Sequence, residues 1–150
     1  MVLHIERATE DDAEAIAAML GEIESYYGGG PARSADVKEV SRALFGPHPA
    51  ATVLLARDGT RVAGLASCCF LWPAVGTSTS LYLKELYVQE AYRGRGVARQ
   101  LMDAVHNEAR AAGCSRVEWT ADRDNPPAVA LYAALNFQPH PGKIFYRSQL

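Results

Sequence analysis

Leu86-Tyr-Val-Gln-Glu-Ala-Tyr-Arg-Gly-Arg-Gly-Val-Ala-Arg-Gln-Leu-Met102 runs from a hydrophobic strand, through a tight turn of glycine and arginine, into an amphipathic helix. Glycine at 94 and 96 leaves main-chain N–H groups unshielded at the helix start, where unpaired donors and the positive end of the helix dipole favour an anion. Arg93 and Arg95 add mobile positive charge at the same point. No Gly-Lys-Ser/Thr follows, and the three-glycine spacing and downstream acid of a dinucleotide fingerprint are missing. Taken alone, the run fits either a phosphate site gripped by main chain or a turn with solvated arginines.

Downstream, Val97, Ala98, Leu101, Met102, Val105, Ala109 and Ala112 fall on one helical arc, with Arg99, Asp103 and Asn107 opposite. His106 lies at the border of that arc and reads as a boundary residue. Gly113 ends the helix, and 115–121 predicts a strand. A turn-rich loop over 122–127 leads, behind Pro126-Pro127, into a short helix over 128–135. Asn136 is expected to take the left-handed conformation that ends it. Residues 144–147 predict a closing strand.

Upstream, 2–8 alternates as a first strand, with His4 on its exposed side. Thr9 and Asp12 have capping-box spacing before a helix that runs to about Tyr27. Ala13, Ile16, Leu20, Ile23 and Tyr27 share one face of it, and Glu24 falls among them. That carboxylate is either a solvated border residue or one that looks into a pocket and meets a cationic amine. Gly28-Gly29-Gly30-Pro31 forms a flexible hinge, and Ser34 or Asp36 caps a short helix stopped by Gly46-Pro47. A strand over 51–57, a turn at Asp58-Gly59, a return over 61–71 and a long strand over 78–88 make a meander.

Composition limits the function classes. With 150 residues, 49% hydrophobic and 21% charged, one globular domain spanning 1–150 is expected. A net charge of −2 offers no general attraction for nucleic acid or an anionic membrane, so an anion site must be local. Three cysteines, with no Cys-x-x-Cys and no histidines at metal spacing, suggest free thiols in a reducing compartment and no metal. No targeting segment or membrane span is apparent, which predicts a cytoplasmic protein.

Arg93-x-x-Gly96-x-Ala98 resembles the acetyl-CoA pyrophosphate loop, Arg/Gln-x-x-Gly-x-Gly/Ala, of the GNAT N-acetyltransferases. A second stretch, Asn125-x-x-Ala128-x-x-x-Tyr132-x-x-x-Asn136-Phe137, is similar to that family's Asn-x-x-Ala-x-x-x-Tyr-x-x-x-Gly-Phe, with asparagine replacing glycine. Tyr-Leu-Lys-Glu-Leu-Tyr-Val at 82–88 and 117–127 most resemble the diamine (spermidine/spermine-like) subgroup. The resemblance implies an α/β (α+β) fold: a mixed, mostly antiparallel sheet of six or seven strands, splayed at its centre and flanked by helices. It also implies acetyl-CoA as cofactor.

By position, the resemblance implies that the coenzyme's phosphates meet Arg93, Gly94, Arg95, Gly96, Val97, Ala98 and Arg99. Its pantetheine arm would pair with main chain at Leu86, Tyr87 and Val88, and contact Asn125, Ala128 and Tyr132. Tyr132 takes the place of the general acid to the leaving sulfur; a phenol near pKa 10 stays neutral at pH 7 and can donate to a thiolate. Glu85 is the candidate for water-mediated deprotonation of the amine. Lys84 beside it stands where the diamine subgroup carries an acid, which argues against a polycation. Glu24, Tyr27, Glu85 and Glu118 are the candidate acceptor residues.

The function so implied is acetyl transfer to a primary amine of a small molecule: a diamine, amino acid or amine antibiotic. The alternatives are an acetyltransferase of protein N-termini or lysines, and an acyl-CoA-binding module without turnover. Family members often pair, so a homodimer is expected.

Overall fold

Alternating apolar runs become a single sheet. In the computed structural model, which describes residues 1–150, Leu3–Arg7 forms β1, Thr52–Asp58 β2, Arg61–Leu71 β3, Ser80–Val88 β4 and Arg116–Glu118 β5. The strands lie in the order β1-β2-β3-β4-β5, antiparallel except for the parallel β4–β5 pair. Asp58 pairs with Arg61, so the β2–β3 loop is Gly59-Thr60, one residue later than the expected turn.

The mixed α/β class stands, but the sheet has five strands instead of six or seven. The strand expected over 115–121 contracts to Arg116–Glu118, because β4 offers it partners only at Ser80, Leu81 and Tyr82. Residues 144–147 form no strand; Ile144, Phe145 and Tyr146 are exposed. An alternating pattern makes a strand only where a neighbouring ladder accepts its N–H and C=O groups.

Local chemistry fixes the helices. Glu10–Asp12 forms a short 3-10 turn, closed by a Thr9 N–H bond to Asp12 Oδ2 at 2.8 Å, and α1 follows over Ala13–Tyr26. Asp36 Oδ1 caps α2, Val37–Phe45, by accepting from Lys38 N–H at 2.8 Å and Glu39 N–H at 3.2 Å. The third helix, α3, spans Val97–Ala111 and ends in a Schellman pair: Gly113 N–H to Arg110 O at 3.1 Å and Cys114 N–H to Ala109 O at 2.9 Å. Pro126–Ala134 is α4.

Helices cover both faces of the sheet. Ile16, Met19 and Ile23 of α1 and Val40 of α2 pack with Val53, Leu55 and Leu65. On the opposite face α3 buries Val97, Leu101, Met102, Val105 and Ala109, whereas Ala112 lies past its end and is exposed. Helix and sheet meet closely at Gly64, where a Cβ would come within 3.3 Å of Leu101 Cδ1. Each such buried aliphatic side chain contributes roughly 1.5–3 kcal/mol. All three cysteines are free, and burial pushes the Cys68 thiol up to about 12, keeping it protonated and inert.

The chain falls into two compact units, Met1–Trp119 and Thr120–Leu150. The first holds the whole sheet with α1, α2 and α3; the second holds α4. No helix is long and apolar enough to cross a membrane.

Candidate functional site

Gly94 and Gly96 adopt φ of +73° and +80°, the left-handed region that side chains with a Cβ enter at a cost of about 1–2 kcal/mol. Gly96 occupies the N-cap of α3 and carries no oxygen to cap it. The first-turn N–H groups of Val97, Ala98 and Arg99 therefore have no partner within the helix. Tyr92 anchors the loop from below: its ring is buried and its hydroxyl donates to Asp58 Oδ2 at 3.1 Å. Both arginines are exposed and lie over aromatic rings. Arg95 lies over the Tyr92 ring at 5.8 Å, and Arg93 folds back so that its Nε donates to the Val88 carbonyl at 3.0 Å.

The end of β4 forms an open edge. Leu86, Tyr87 and Val88 pair with Ala66, Leu65 and Gly64, and Gln89 N–H continues the ladder by donating to Ala63 O at 2.9 Å. Main-chain groups alternate in direction along an antiparallel strand, so Tyr87 and Gln89 face β3 while Leu86 and Val88 point away. β5 reaches only as far as Tyr82. The outward N–H and C=O groups of Leu86 and Val88 thus line a stretch that no strand covers.

The apolar stripe of α1 departs from the sequence reading at its centre. Met19 and Ile23 are buried, but Leu20, expected in the core, is 39% exposed, and Tyr27 is 56% exposed. At 100° per residue Leu20 lies mid-arc, with Glu24 and Tyr27 beside it. The sheet covers one flank of that arc. The chain at 33–35 covers the other, where Ala35 N–H donates to Ala17 O at 2.9 Å and the Arg33 carbonyl presses on Gly21. Between the flanks the stripe opens, and Gly21, Glu24, Gly29, Pro31 and Arg33 line a recess there of about 360 Å³.

The remaining acids differ in setting. Glu85 is half-buried on β4 and shares by alternation the strand face of Tyr87, which packs against the α1–α2 cluster. Glu118 accepts from Arg116 Nε at 2.9 Å, which commits it to a surface ion pair. In the second unit Asn125 caps α4, its Oδ1 accepting from Ala128 N–H at 3.4 Å. Tyr132 is half-buried, and its carbonyl accepts from Phe137 N–H at 2.9 Å. Asn136 takes φ +65° and donates to Ala133 O at 3.0 Å, so asparagine performs the helix-ending role expected of it.

Sequence reading missed two participants and placed a third, Leu20, in the core. Tyr26 places its ring 5.3 Å from the Arg93 guanidinium, Gln89 Nε2 donates to Glu22 Oε2 at 2.9 Å, and Leu20 flanks the α1 opening. The spacing 16, 19, 23, 26 would have pointed to Tyr26 on the sheet-facing side of α1. The other two depend on contacts far apart in the chain, which no local pattern signals.

A strand with an uncovered edge, running into a glycine turn and an uncapped helix, offers main-chain partners to a ligand that is amide-bearing along its length and anionic at its end. Residues 16–137 match the Acetyltransferase (GNAT) family, so the chain belongs to that family and is an acyltransferase with acetyl-CoA as its acyl donor. It is 29% identical over 146 residues to thialysine N-epsilon-acetyltransferase of Mus musculus, covering 89% of this chain and 83% of that one. Aminoglycoside N(6')-acetyltransferase type 1 of Serratia marcescens is 30% identical over 115 residues, covering 75% and 78%. Among solved structures, an integron cassette protein from the mobile metagenome of V. cholerae superposes with a TM-score of 0.86 at 28% identity, covering 99% of this chain and 93% of that one.

Proposed function

We propose that this chain, acting as one domain over 1–150, transfers acetyl from acetyl-CoA to a primary amine of a small molecule. The observation that carries the donor half is the uncovered edge at Leu86 and Val88, continuous with the uncapped start of α3. The residues present suit the coenzyme: first-turn amides of Val97, Ala98 and Arg99 would hold its phosphate oxygens, and the outward groups of Leu86 and Val88 would pair with the amides of its arm. When bound, acetyl-CoA supplies the acetyl group as a thioester.

The chain's own groups then divide the work. The Leu86 or Val88 N–H is a fixed donor for the acyl oxygen, and such preorganised donors are the usual source of stabilisation where charge develops. Tyr132 holds at its Oη the proton needed by a leaving sulfur. Asn125 and Ala128 belong to the same motif. On the acceptor side, Leu20, Glu24 and Tyr27 form an exposed stripe of aliphatic, carboxylate and aromatic groups beside the recess. That stripe suits an ammonium on an apolar stem. Glu85 is the acid for water-mediated deprotonation, since an alkyl ammonium near pKa 10.4 must lose a proton before it attacks. Relatives named for acetylating thialysine and aminoglycosides support an amine acceptor. The enzyme is further read as cytoplasmic and as a homodimer; light scattering of the purified protein tests the oligomeric state.

Incubation with acetyl-CoA and a panel of diamines, amino acids and aminoglycosides, followed by release of free thiol, tests the reading. Turnover of at least one panel member is expected. Labelling of protein N-termini or lysines with no small-molecule turnover would transfer the assignment to a protein acetyltransferase. Tyr132→Phe should lower kcat by about 100-fold, with KM for acetyl-CoA little changed. An unaltered kcat removes Tyr132 from the chemistry.

A further inference from the structure

Arg93 opens the glycine loop, yet its side chain turns away from the helix start. Its Nε donates to the Val88 carbonyl at 3.0 Å, one of the outward groups of the open edge. Its guanidinium carbon lies 5.3 Å from the centre of the Tyr26 ring and 5.6 Å from that of Tyr87. Tyr26 is the last residue of α1, between the two parts of the chain that line the recess, Gly21 and Glu24 on the helix and Gly29, Pro31 and Arg33 after it. One cation thus touches the end of that helix, the face of β4 and the edge of β4.

A second link runs parallel to it, from Gln89 Nε2 to Glu22 Oε2 at 2.9 Å, one turn earlier on α1. Burial, reinforced by the Glu22 carboxylate, pushes the Tyr87 phenol up, against the lowering pull of Arg93. The Tyr87 phenol therefore stays neutral at physiological pH, and the faces of both rings attract the guanidinium through their quadrupoles. The Val88 carbonyl and both rings engage the Arg93 side chain, while the first-turn amides of α3 have no partner within the helix.

We propose that Arg93 is a positioning residue, not a phosphate ligand: it ties the end of α1, and with it the recess over 21–33, to the uncovered edge of β4. The proposal rests on the reading of that edge as the donor site. Occupation of the edge displaces or reinforces the Arg93–Val88 bond, so it is felt at Tyr26 and in the chain that follows.

The test uses the full chain with Arg93→Gln, Arg93→Lys, Tyr26→Leu and Tyr26→Phe, each first shown to melt cooperatively. Calorimetry with adenosine 3′,5′-bisphosphate, the nucleotide end of the coenzyme alone, reads phosphate binding. Hydrogen exchange of residues 22–33 with and without coenzyme A reads the coupling. Arg93→Gln and Tyr26→Leu should bind the bisphosphate within about twofold of wild type, under 0.5 kcal/mol. Both should abolish the response of 22–33 to coenzyme A, while Arg93→Lys and Tyr26→Phe, which keep a cation over a ring, restore it. A tenfold or greater loss of bisphosphate affinity in Arg93→Gln, with none in Tyr26→Leu, makes Arg93 a phosphate ligand and overturns the proposal. An unchanged exchange response in both also overturns it. Failure of the wild-type chain to bind the bisphosphate at all overturns the donor-site reading and this proposal together.

Discussion

Gly96 shows how a single residue serves fold and site at once. A Cβ added there meets nothing within 4 Å, so the position is held for glycine by its φ of +80° alone. Gly96→Ala should accordingly cost about 1–2 kcal/mol in urea unfolding, the left-handed penalty and no more. Because relaxing φ also turns the first amides of α3, coenzyme A affinity should fall in the same variant. Full affinity with lost stability would mean that those amides do not hold the phosphates. This much was legible in the sequence, since two glycines ahead of an amphipathic run demand such a turn. The conformation of Arg93 was not, because its partners Tyr26 and Tyr87 reach it only through the tertiary fold. Leu20 misled for a related reason: periodicity places it mid-stripe, but whether a stripe is covered depends on the neighbouring segments.

At the scale of elements, capping signals read most faithfully. Asp36 was one of two candidates for the start of α2, and its carboxylate accepts from two first-turn amides. Asp36→Ala should destabilise the chain by about 1 kcal/mol, read as a lowered urea midpoint at constant slope. Ser34→Ala, the rejected candidate, should change little; equal losses would contradict the cap geometry. Strands were less legible at their ends. β2, β3 and β4 satisfy one another, so alternation and turn chemistry located them closely. β5 pairs with β4 only over Arg116–Glu118, and where a ladder stops is a property of the sheet, not of the local pattern. The same early stop leaves Leu86 and Val88 without a paired strand on that side, so the feature hardest to read locally is the one that opens the proposed donor edge.

Across the whole molecule, charge acts through a few well-placed groups, since a net charge of −2 leaves no dominant field. Arg57 on β2 bonds both Glu6 on β1 and Asp12 at the entry to α1, joining the sheet edge to the first helix. Arg7 makes a corresponding bond from β1 to Glu108 of α3, Nε to Oε1 at 3.2 Å. Burial alone would raise the Asp12 carboxyl, but hydrogen bonds from Thr9 and Arg57 outweigh it and hold the group below its ordinary value. A carboxyl lowered in the folded state contributes fully above its unfolded pKa, near 3.9, and loses that contribution as pH falls through the folded value. Asp12→Asn should therefore be less stable than wild type by about 1–3 kcal/mol at pH 7, the range for removing one partner of a charged hydrogen bond. The difference should persist to pH 5 and shrink below about pH 4. Paired urea melts at pH 7, 5 and 3 measure it directly. A gap that stays constant down to pH 3 would place the stabilisation in side-chain packing and leave the Asp12 charge without a part in joining sheet to helix.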